Sequence, residues 1–514
     1  MAVLSTDSGP GRDDAVESLP IGDIQGLVLS GYGHLSCAAY LMLQVTDPAA
    51  ARRWLAGVAA ELTTGTSRTP PYVNLALTYA GLAALGLHPD DLKTFPSAFR
   101  DGMASERRAR ILGDRQESAP AAWRWGGPST EPVHLLLMIF ERDADRLNAE
   151  LARRRLGIGP ATGLHEVTTL EAGRQPDSRE HFGFADGIAQ PVIEGTVKSV
   201  AGRPSPGAAP VVKPGEFLLG YPNAYGQPAD VSTVAPGRDR ANLLPTVRPD
   251  QLRGLTDNQP GDHDLGRNGT YLVFRQLAQD VAGFWRFLDD AARAHGLLGA
   301  GGRAYLGAKL VGRWPSGAPL VKSPDADPLA GSGELSTDND FGYAAADPHG
   351  FACPIGAHIR RANPRDSLVT SHIKAPQAAE SANRHLLLRR GRSYGDRLPD
   401  MPFGDEIPED DGRERGLLFA CLNADVERQF EFVQQTWINN PVFGGLGGEV
   451  DPLIGDQEKV DGTMTIPGDP LRTRVRGMRR FVTVKGGAYF FLPSRSALIY
   501  LAGLENAPGE RGSD

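Results

Sequence analysis

The order of strands and helices in the first third of the chain constrains its fold most strongly. A helix begins at Asp47-Pro48, and a second, charged helix covers about residues 143–155. Apolar runs predict strands on either side of each helix, at residues 36–45, 72–79, 133–140 and 165–170. This order of elements is typical of an α+β, ferredoxin-like antiparallel sheet with helices packed on one face.

The second half of the chain repeats this order in outline. A strand at residues 270–277 precedes a helix with an apolar stripe. The later elements are a strand at 417–422, a helix at 425–437, strands at 480–484 and 488–492 around Gly486-Gly487, and a last helix near Ser494. We therefore expect two ferredoxin-like domains, because each half supplies its own set of strands and helices.

Composition places the expected boundaries of these domains. Residues 199–264 are rich in Pro, Gly and Asp, so we expect a long irregular excursion at the end of the first domain. The first domain then covers residues 20–264 and the second residues 265–506. Residues 1–19 and 507–514 are expected to be tails, the first of them flexible.

Charge and cysteine content exclude several classes of function. The chain has 514 residues and a formal net charge of −8, so it lacks the basic surface that nucleic acids and anionic membranes attract. Cys37, Cys353 and Cys421 are widely spaced and form no metal-binding pair. No apolar run of about 18 residues could span a membrane. We expect a soluble cytoplasmic protein, a monomer or small homo-oligomer, with no nucleic-acid or membrane partner.

The stretch HFGFADGIAQP at residues 181–191 is the first candidate for chemistry. Asp186 lies between glycines, which let a backbone approach a ligand closely. An isolated Gly-x-Asp-Gly is most simply a surface turn, but Phe182, Phe184 and Ile188 give this one an apolar rim. A carboxylate in an apolar site has a pKa that is open to shifting, which suits proton transfer.

The stretch CPIGAHIRRANPR at residues 353–365 places one histidine, His358, in apolar surroundings. A lone histidine is commonly a buried structural residue. No second ligand lies at zinc spacing, whereas haem iron needs a single axial side chain. The arginines that follow, Arg360 first, could meet the propionates of a haem through charge-assisted hydrogen bonds.

A third stretch, HLLLRRGRSYG at residues 385–395, places Arg389 and Arg390 directly after an apolar run. It could be a basic surface patch before a turn. The leucines should instead be buried, which would draw at least one guanidinium group inward. A buried guanidinium group needs an anionic partner, and a haem with peroxide would supply one.

Taken together, these stretches make the chain resemble the dye-decolorizing peroxidases, haem enzymes whose signature is Gly-Phe-x-Asp-Gly. Residues 183–187 read Gly-Phe-Ala-Asp-Gly without departure. Further matches lie, in order, at residues 23–26 (DIQG), 74–86 (NLALTYAGLAALG), 357–365 (AHIRRANPR), 386–395 (LLLRRGRSYG) and 416–432 (GLLFACLNADVERQFEF). The length and the long excursions resemble the larger, fungal-like and actinobacterial branch of the family.

The resemblance implies a role for each candidate residue. Asp186 is expected to be the distal acid/base, Arg389 the distal arginine and His358 the axial iron ligand. A register error of one residue would exchange Arg389 with Arg390. Asp451 is expected to accept the ring N–H of His358, with a loop aspartate before a proline as the alternative.

The resemblance also implies one haem b per chain, held between the sheet and the helices of the C-terminal half. Leu417 and Phe419 are expected to line the distal side of this haem. The full set of expected cofactor contacts is Phe184, Gly187, Ile188, Arg360, Leu417, Phe419 and Asp451.

The implied function is that of a haem peroxidase that reduces hydrogen peroxide and oxidises bulky aromatic reductants, such as dyes and phenols, by one-electron steps. Its acid/base is a carboxylate, so we expect the highest activity in mildly acidic solution. One alternative is a haem-handling protein that binds haem, transfers it or releases its iron, with incidental peroxidase activity. Another is a structural two-domain protein with a vestigial pocket. Oxidation of large dyes at a surface Tyr or Trp is a further hypothesis, and the sequence singles out no such residue.

Overall fold

The computed structural model describes residues 18–196, 210–230, 232–247, 261–398, 406–407 and 409–505. The predicted tails, apart from residues 18 and 19, and part of the predicted excursion lie outside the described residues. Within the described ranges, none of the helices has both the length and the apolar character that a membrane crossing requires.

The N-terminal half contains four long strands and two long helices that connect them. The strands are β1 (Cys37–Val45), β2 (Tyr72–Leu77), β3 (Leu135–Glu141) and β4 (Leu164–Gly173). Helix α1 (Pro48–Glu61) connects β1 to β2, and α2 (Ala144–Leu156) connects β3 to β4. The antiparallel order β4-β1-β3-β2 is that of a ferredoxin-like domain and confirms the predicted α+β class.

Local sequence signals determine where α1 begins and which of its faces is buried. The Asp47 side chain accepts a hydrogen bond from the Ala50 N–H at 3.0 Å, and Pro48 occupies the first turn. The apolar residues at helical spacing then pack into the core beneath the sheet, as Ala51, Leu55 and Val58 do. The predicted start of the helix is therefore confirmed.

The C-terminal half forms a second sheet of the same kind. Its strands are β5 (Thr270–Gln279), β6 (Leu388–Arg389), β7 (Arg392–Tyr394), β8 (Gly416–Asn423) and β9 (Val482–Leu492). Strand β5 lies between β8 and β9, and β8 also pairs with β6 and β7, all antiparallel. Helix α3 (Val281–Ala294) follows β5, as the apolar stripe predicts.

Four further helices of this half surround the sheet and its loops. They are α4 (Gly299–Val311), α5 (His358–Ala362), α6 (Ala375–Asn383) and α7 (Arg495–Ala502). Two adjacent π-helical segments, Glu427–Glu431 and Val433–Ile438, follow β8.

The two sheets meet at both edges and close into a ring. Leu77 of β2 lies opposite Phe491 of β9, and Gly173 of β4 lies opposite Ser393 of β7. Aromatic side chains from both halves fill the interior: Tyr40 of β1 stacks on Phe274 of β5 with ring centroids 4.9 Å apart. Closure leaves these strands with few unpaired edges.

Three predictions for the second half are corrected by the structure. The sequence predicts no helix between the apolar stripe and the strand at 417–422, but helix α4 lies there, because its four glycines conceal the helical pattern. The strands predicted at 480–484 and 488–492 are one strand, β9, with a bulge between Val484 and Gly486. The helix predicted at 425–437 has π-helical hydrogen bonding, a form that is frequent at functional sites.

Shorter elements complete the description. Short helices lie at Gly26–Leu29, Tyr79–Ala84, Pro89–Lys93, Ser97–Asp101 and Glu106–Leu112. Short strand pairs are Val192–Ile193 with Val211–Val212, Thr233–Val234 with His263–Asp264, and Met464–Ile466 with Thr473–Val475. Single 3-10 turns lie at Gln116–Ser118, Pro120–Ala122, Pro160–Thr162, Pro214–Glu216, Pro236–Arg238 and Gln457–Lys459.

Candidate active site

A tight turn after β4 presents Asp186. The Glu180 N–H donates to the Phe184 carbonyl at 3.0 Å, and the Gly183 N–H donates to the Glu180 carbonyl at 2.8 Å. Gly183 and Gly187 have φ angles of +95° and +81°, which glycine adopts without strain. The glycines of the Gly-Phe-Ala-Asp-Gly motif are thus needed for the shape of the turn.

Aromatic packing anchors this turn to helix α3. The Phe184 ring lies parallel to Trp285, with centroids 6.2 Å apart, and the Trp285 indole N–H donates to the Phe182 carbonyl at 3.1 Å. Gly307 of α4 lets that helix approach, because a Cβ at this position would lie 3.2 Å from the Phe184 ring. Phe182 and Phe184 of the apolar rim are therefore buried and Ile188 is partly buried, while Asp186 projects from this rim.

Asp186 forms an ion pair with Arg389 of β6. The Arg389 Nη1 lies 2.9 Å from Asp186 Oδ1, and the two side chains are 36% and 43% exposed because they face a cavity. Burial by itself would raise the pKa of Asp186, but the Arg389 guanidinium and the Gly187 N–H hold it below its usual value. The carboxylate is thus kept ionised beside a cation.

The neighbouring Arg390 points away from this pair. Its guanidinium donates to the carbonyls of Leu27 and Val28 at 2.6 and 2.8 Å, and it therefore fastens the N-terminal segment to the sheet. The structure brings Arg389, and not Arg390, to Asp186, in the register favoured by the sequence.

His358 is the first residue of α5, and a buried carboxylate holds its ring. Its Nδ1 lies 2.9 Å from Oδ2 of Asp451, whose side chain is fully buried and whose Oδ1 accepts the N–H groups of Leu453 and Ile454. Burial lowers the pKa of His358, but Asp451 outweighs this effect and raises it. The geometry is that of a histidine oriented by a carboxylate, with its Nε2 left for another partner.

Asp186, Arg389 and His358 line one cavity of about 210 Å³, and His358 and Arg389 also line an adjoining cavity of about 490 Å³. Both lie between strands β5 and β8 of the second sheet and helix α5. Among the predicted contacts, Phe184, Gly187, Ile188 and Leu417 line the first cavity. Phe419 lines the second together with Leu417.

The structure does not bring Arg360 to these cavities. Its guanidinium is buried and donates to the Asp347 carboxylate at 3.1 Å and to the Cys353 carbonyl at 2.7 Å. Besides Arg389, the arginines that line the first cavity are Arg313 and Arg365. Arg365 belongs to the same AHIRRANPR segment, but the sequence alone does not tell which arginine turns inward.

Sequence reasoning also missed Glu180 and Gln279, which line the first cavity. Burial and, to a smaller extent, the negative charge of Asp186 raise the pKa of Glu180 to about 7, against hydrogen bonds that lower it. The only signal in the sequence is that Glu180 directly precedes the stretch 181–191, six residues before Asp186.

Comparisons with known proteins show which proteins the whole chain resembles. No family model matches the chain. A dye-decolorizing peroxidase from Mycena epipterygia is 31% identical over 531 residues, covering 95% of this chain and 88% of that protein. A multifunctional dye peroxidase from Amycolatopsis sp. is 30% identical over 445 residues, covering 83% of this chain and 82% of that protein. A deferrochelatase from Yersinia pestis is 32% identical over 101 residues, 20% of this chain and 18% of that protein.

Solved structures give the same result. A dye-decolorizing peroxidase whose heme pocket was engineered for asymmetric sulfoxidation superposes with a TM-score of 0.72 at 26% identity, covering 94% of this chain and all of that one. The similarity to fungal and actinobacterial peroxidases thus extends over nearly the whole chain in sequence and in structure. The chain belongs to the dye-decolorizing peroxidases, a family of haem peroxidases.

Proposed function

We propose that this chain binds haem through His358 and uses Asp186 and Arg389 to activate hydrogen peroxide for the one-electron oxidation of bulky aromatic compounds, dyes and phenols among them. One observation carries the proposal: the Asp186–Arg389 pair lines the same cavity as His358, whose ring is held by Asp451. Perturbed titratable groups that converge on an apolar cavity are typical of a catalytic site.

The residues around the cavity fit a haem. With Nδ1 of His358 bonded to Asp451, Nε2 is the nitrogen that would bind iron. Leu417 and Phe419 offer apolar surface to the macrocycle. When bound, the haem supplies the reversible change in iron oxidation state by which peroxide is reduced and electrons are taken from the aromatic substrate.

Arg313 and Arg365 would offer positive charge to the haem propionates. The guanidinium of Arg313 donates to the carbonyls of Gly317 and Asp338, each at 2.7 Å. Arg365 donates to carbonyls at 3.0 and 2.8 Å and to the side chain of Asn339. Because these hydrogen bonds go to carbonyl and amide oxygens rather than to carboxylates, both guanidinium groups remain available to an anion.

Asp186 acts first as a base and then as an acid. Peroxide must lose a proton from one oxygen and gain a proton on the oxygen that leaves as water, and a single carboxylate beside it can perform both transfers. The lowered pKa of Asp186 keeps it ionised, and so ready as a base, in mildly acidic solution. Arg389 donates hydrogen bonds to the negative charge that develops as the O–O bond breaks.

Asp451 tunes His358 from the other side. Burial raises the pKa of Asp451, but the charge of His358 and its hydrogen bonds lower it, so Asp451 stays ionised. An ionised carboxylate on the ring N–H makes the imidazole a more electron-rich ligand.

The pH dependence of dye and phenol oxidation tests this function. The haem-loaded protein with hydrogen peroxide is expected to work fastest in mildly acidic solution, where Asp186 is ionised and can still return its proton. Free haem at the same concentration is the control. An activity that peaks above neutral pH, or that does not exceed free haem, contradicts the proposal.

The haem-handling alternative is not favoured. The relatives that match along most of the chain are peroxidases, whereas the deferrochelatase matches 20% of it. The alternative requires release of iron-free porphyrin from the haem-loaded protein under reducing, oxygen-free conditions. We expect the porphyrin to keep its iron there, as followed by fluorescence.

We further propose one haem b per chain, a cytoplasmic location and a monomer or small homo-oligomer. The haem type and stoichiometry are measured by the pyridine haemochrome spectrum against protein concentration. Cys353 and Cys421 are buried and, like Cys37, unpaired among the described residues, which supports a reducing compartment. Cell fractionation and light scattering test the location and the oligomeric state.

A further inference from the structure

The carboxylate of Glu180 closes the turn that carries Asp186. Its Oε2 accepts the Phe182 N–H at 2.8 Å, and its Oε1 accepts the Phe184 N–H at 3.0 Å. The Nε2 of Gln279, the last residue of β5, donates to Oε2 at 2.8 Å. One side chain therefore ties the turn to the sheet that forms a wall of the cavity.

Glu180 also lies where the inner cavity meets an outer one. With Asp186 and Arg389, it lines both the cavity of about 210 Å³ and a neighbouring cavity of about 420 Å³. The wall of this outer cavity includes Gln175 and Ser178. Both carboxylates line both cavities, so the charge of Glu180 is felt where Asp186 acts.

We propose that Glu180 is a positioning residue for the peroxide reaction: it fastens the turn that carries Asp186 to β5, and its charge limits the reaction in alkaline solution. The inference rests on the proposed role of Asp186 as acid and base. In this proposal Glu180 is a second carboxylate, which does not exchange protons with peroxide. It holds Asp186 in place, and its charge determines the pH range in which Asp186 can exchange those protons.

The charge state of Glu180 changes close to neutral pH. Burial raises its pKa to about 7 against the three hydrogen bonds that favour the ionised form. Below this pH the group is neutral, and above it the group carries a charge. A protonated Glu180 can also donate to Oε1 of Gln279 once the side-chain amide rotates by 180°, since this buried oxygen has no hydrogen-bond partner among the described residues.

The charged groups around Glu180 determine what its ionisation does. Asp186 and Arg389 face it from the turn and from β6, and Arg313, Arg365 and His358 line the inner cavity. The outer cavity adds Arg174, Arg179, Arg390 and Arg392. Among the described residues, Asp186 is the other carboxylate that lines both cavities, so ionised Glu180 places a second negative charge beside it. That charge opposes the negative charge that develops on peroxide, and the rate should fall.

Stopped-flow mixing of the haem-loaded protein with hydrogen peroxide, from about pH 4 to about pH 9, tests the proposal. For the wild type we expect the second-order rate constant to fall about tenfold above about pH 7, because a single group ionises there. In Glu180→Gln this alkaline fall should disappear while the acidic limb stays. The matched control is Glu131→Gln, at an exposed glutamate paired with His165, which should behave as the wild type.

A second variant separates the fastening of the turn from the charge. Gln279→Leu removes the donor from β5 but leaves Glu180 free to ionise, so its rate should be lower at every pH while the alkaline fall remains. In the protein without haem, the backbone amide protons of Phe182 and Phe184 should exchange with solvent faster in this variant than in the wild type. Unchanged rates and unchanged exchange in Gln279→Leu would overturn the fastening role.

The protein without haem also gives a measurement that does not depend on peroxidase activity. The infrared carbonyl band of a protonated carboxylic acid should vanish as the wild type passes about pH 7 and should be absent from Glu180→Gln. A wild-type protein that does not react with peroxide refutes the proposed function itself. A wild-type protein that reacts, with the same alkaline fall in Glu180→Gln, refutes only the role of Glu180.

Discussion

Arg389 and Arg390 are adjacent in the sequence, but their guanidinium groups have different partners. Arg389 lies 2.9 Å from a carboxylate oxygen of Asp186 in the cavity, whereas Arg390 donates to main-chain carbonyls of the N-terminal segment. The alternation of side chains about a short strand is enough to separate the two roles. A pair of substitutions can therefore distinguish chemistry from stability.

We expect Arg389→Gln to slow the reaction with peroxide by about 10²–10³-fold, because a donor to the developing charge is lost. The pKa of Asp186 should rise without its cation, so the acidic limb of the profile should move to higher pH. Arg390→Gln should keep the rate of the folded protein but lose about 1–3 kcal/mol of stability, because buried carbonyls lose their donors. Stopped-flow and thermal unfolding measurements that gave the reverse pattern would contradict this assignment.

The sequence predicts some of these residues better than others. The sequence identifies Asp186 and His358 as candidates because each lies in a stretch, 181–191 or 353–365, whose neighbouring residues also match the family. The sequence does not show whether Arg360 contacts a cofactor, because the direction of its side chain is set by Asp347 and by the carbonyl of Cys353. Such tertiary partners are not visible from the local pattern of charges.

Among the elements, strands and capped helices were the easiest to predict. Apolar runs predict the long strands of both sheets, since buried strands need continuous apolar residues, whereas the short strands β6 and β7 are not predicted. Helix α4 was missed because glycine weakens a helix in isolation, while here Gly307 permits close packing against Leu288 and Phe184. The sequence predicts two strands in place of β9, because Gly486-Gly487 resembles a turn. In the structure these glycines lie at a bulge, where Gly486 packs against the Trp125 indole.

Two glycine substitutions test this account of packing. A Cβ at Gly486 would lie 2.4 Å from the Trp125 indole nitrogen, so Gly486→Ala should cost about 1–3 kcal/mol through overpacking. Gly57, inside α1, has no neighbour within 4 Å of such a Cβ, so Gly57→Ala should stabilise the protein by about 0.5–1 kcal/mol. Denaturant unfolding of both variants compares the free energies, and equal effects at the two positions would refute the packing argument.

In the whole molecule, the candidate site is assembled from both halves of the chain. Asp186 is carried by the turn that follows β4, whereas Arg389 and His358 come from the second half. The closed ring of strands holds these segments together, because each sheet completes the other at both edges. A ligand in the cavity is therefore expected to stabilise both halves at once.

Calorimetry of the protein with and without haem tests this coupling. At a free haem concentration about 100 times Kd, the native state should gain about 2.7 kcal/mol, and one unfolding transition should move as a whole to higher temperature. Two transitions, of which only one responds to haem, would contradict a site shared by the two halves.

The most direct test of the proposed chemistry is the absorption spectrum of the haem-loaded protein before and after one equivalent of hydrogen peroxide. We predict a rapid change of the haem band in the wild type and a reaction slower by about 10²–10⁴-fold in Asp186→Asn, because the amide cannot move the proton. Wild-type protein whose haem band is unchanged by peroxide, or an Asp186→Asn variant that reacts as fast as the wild type, would contradict the account.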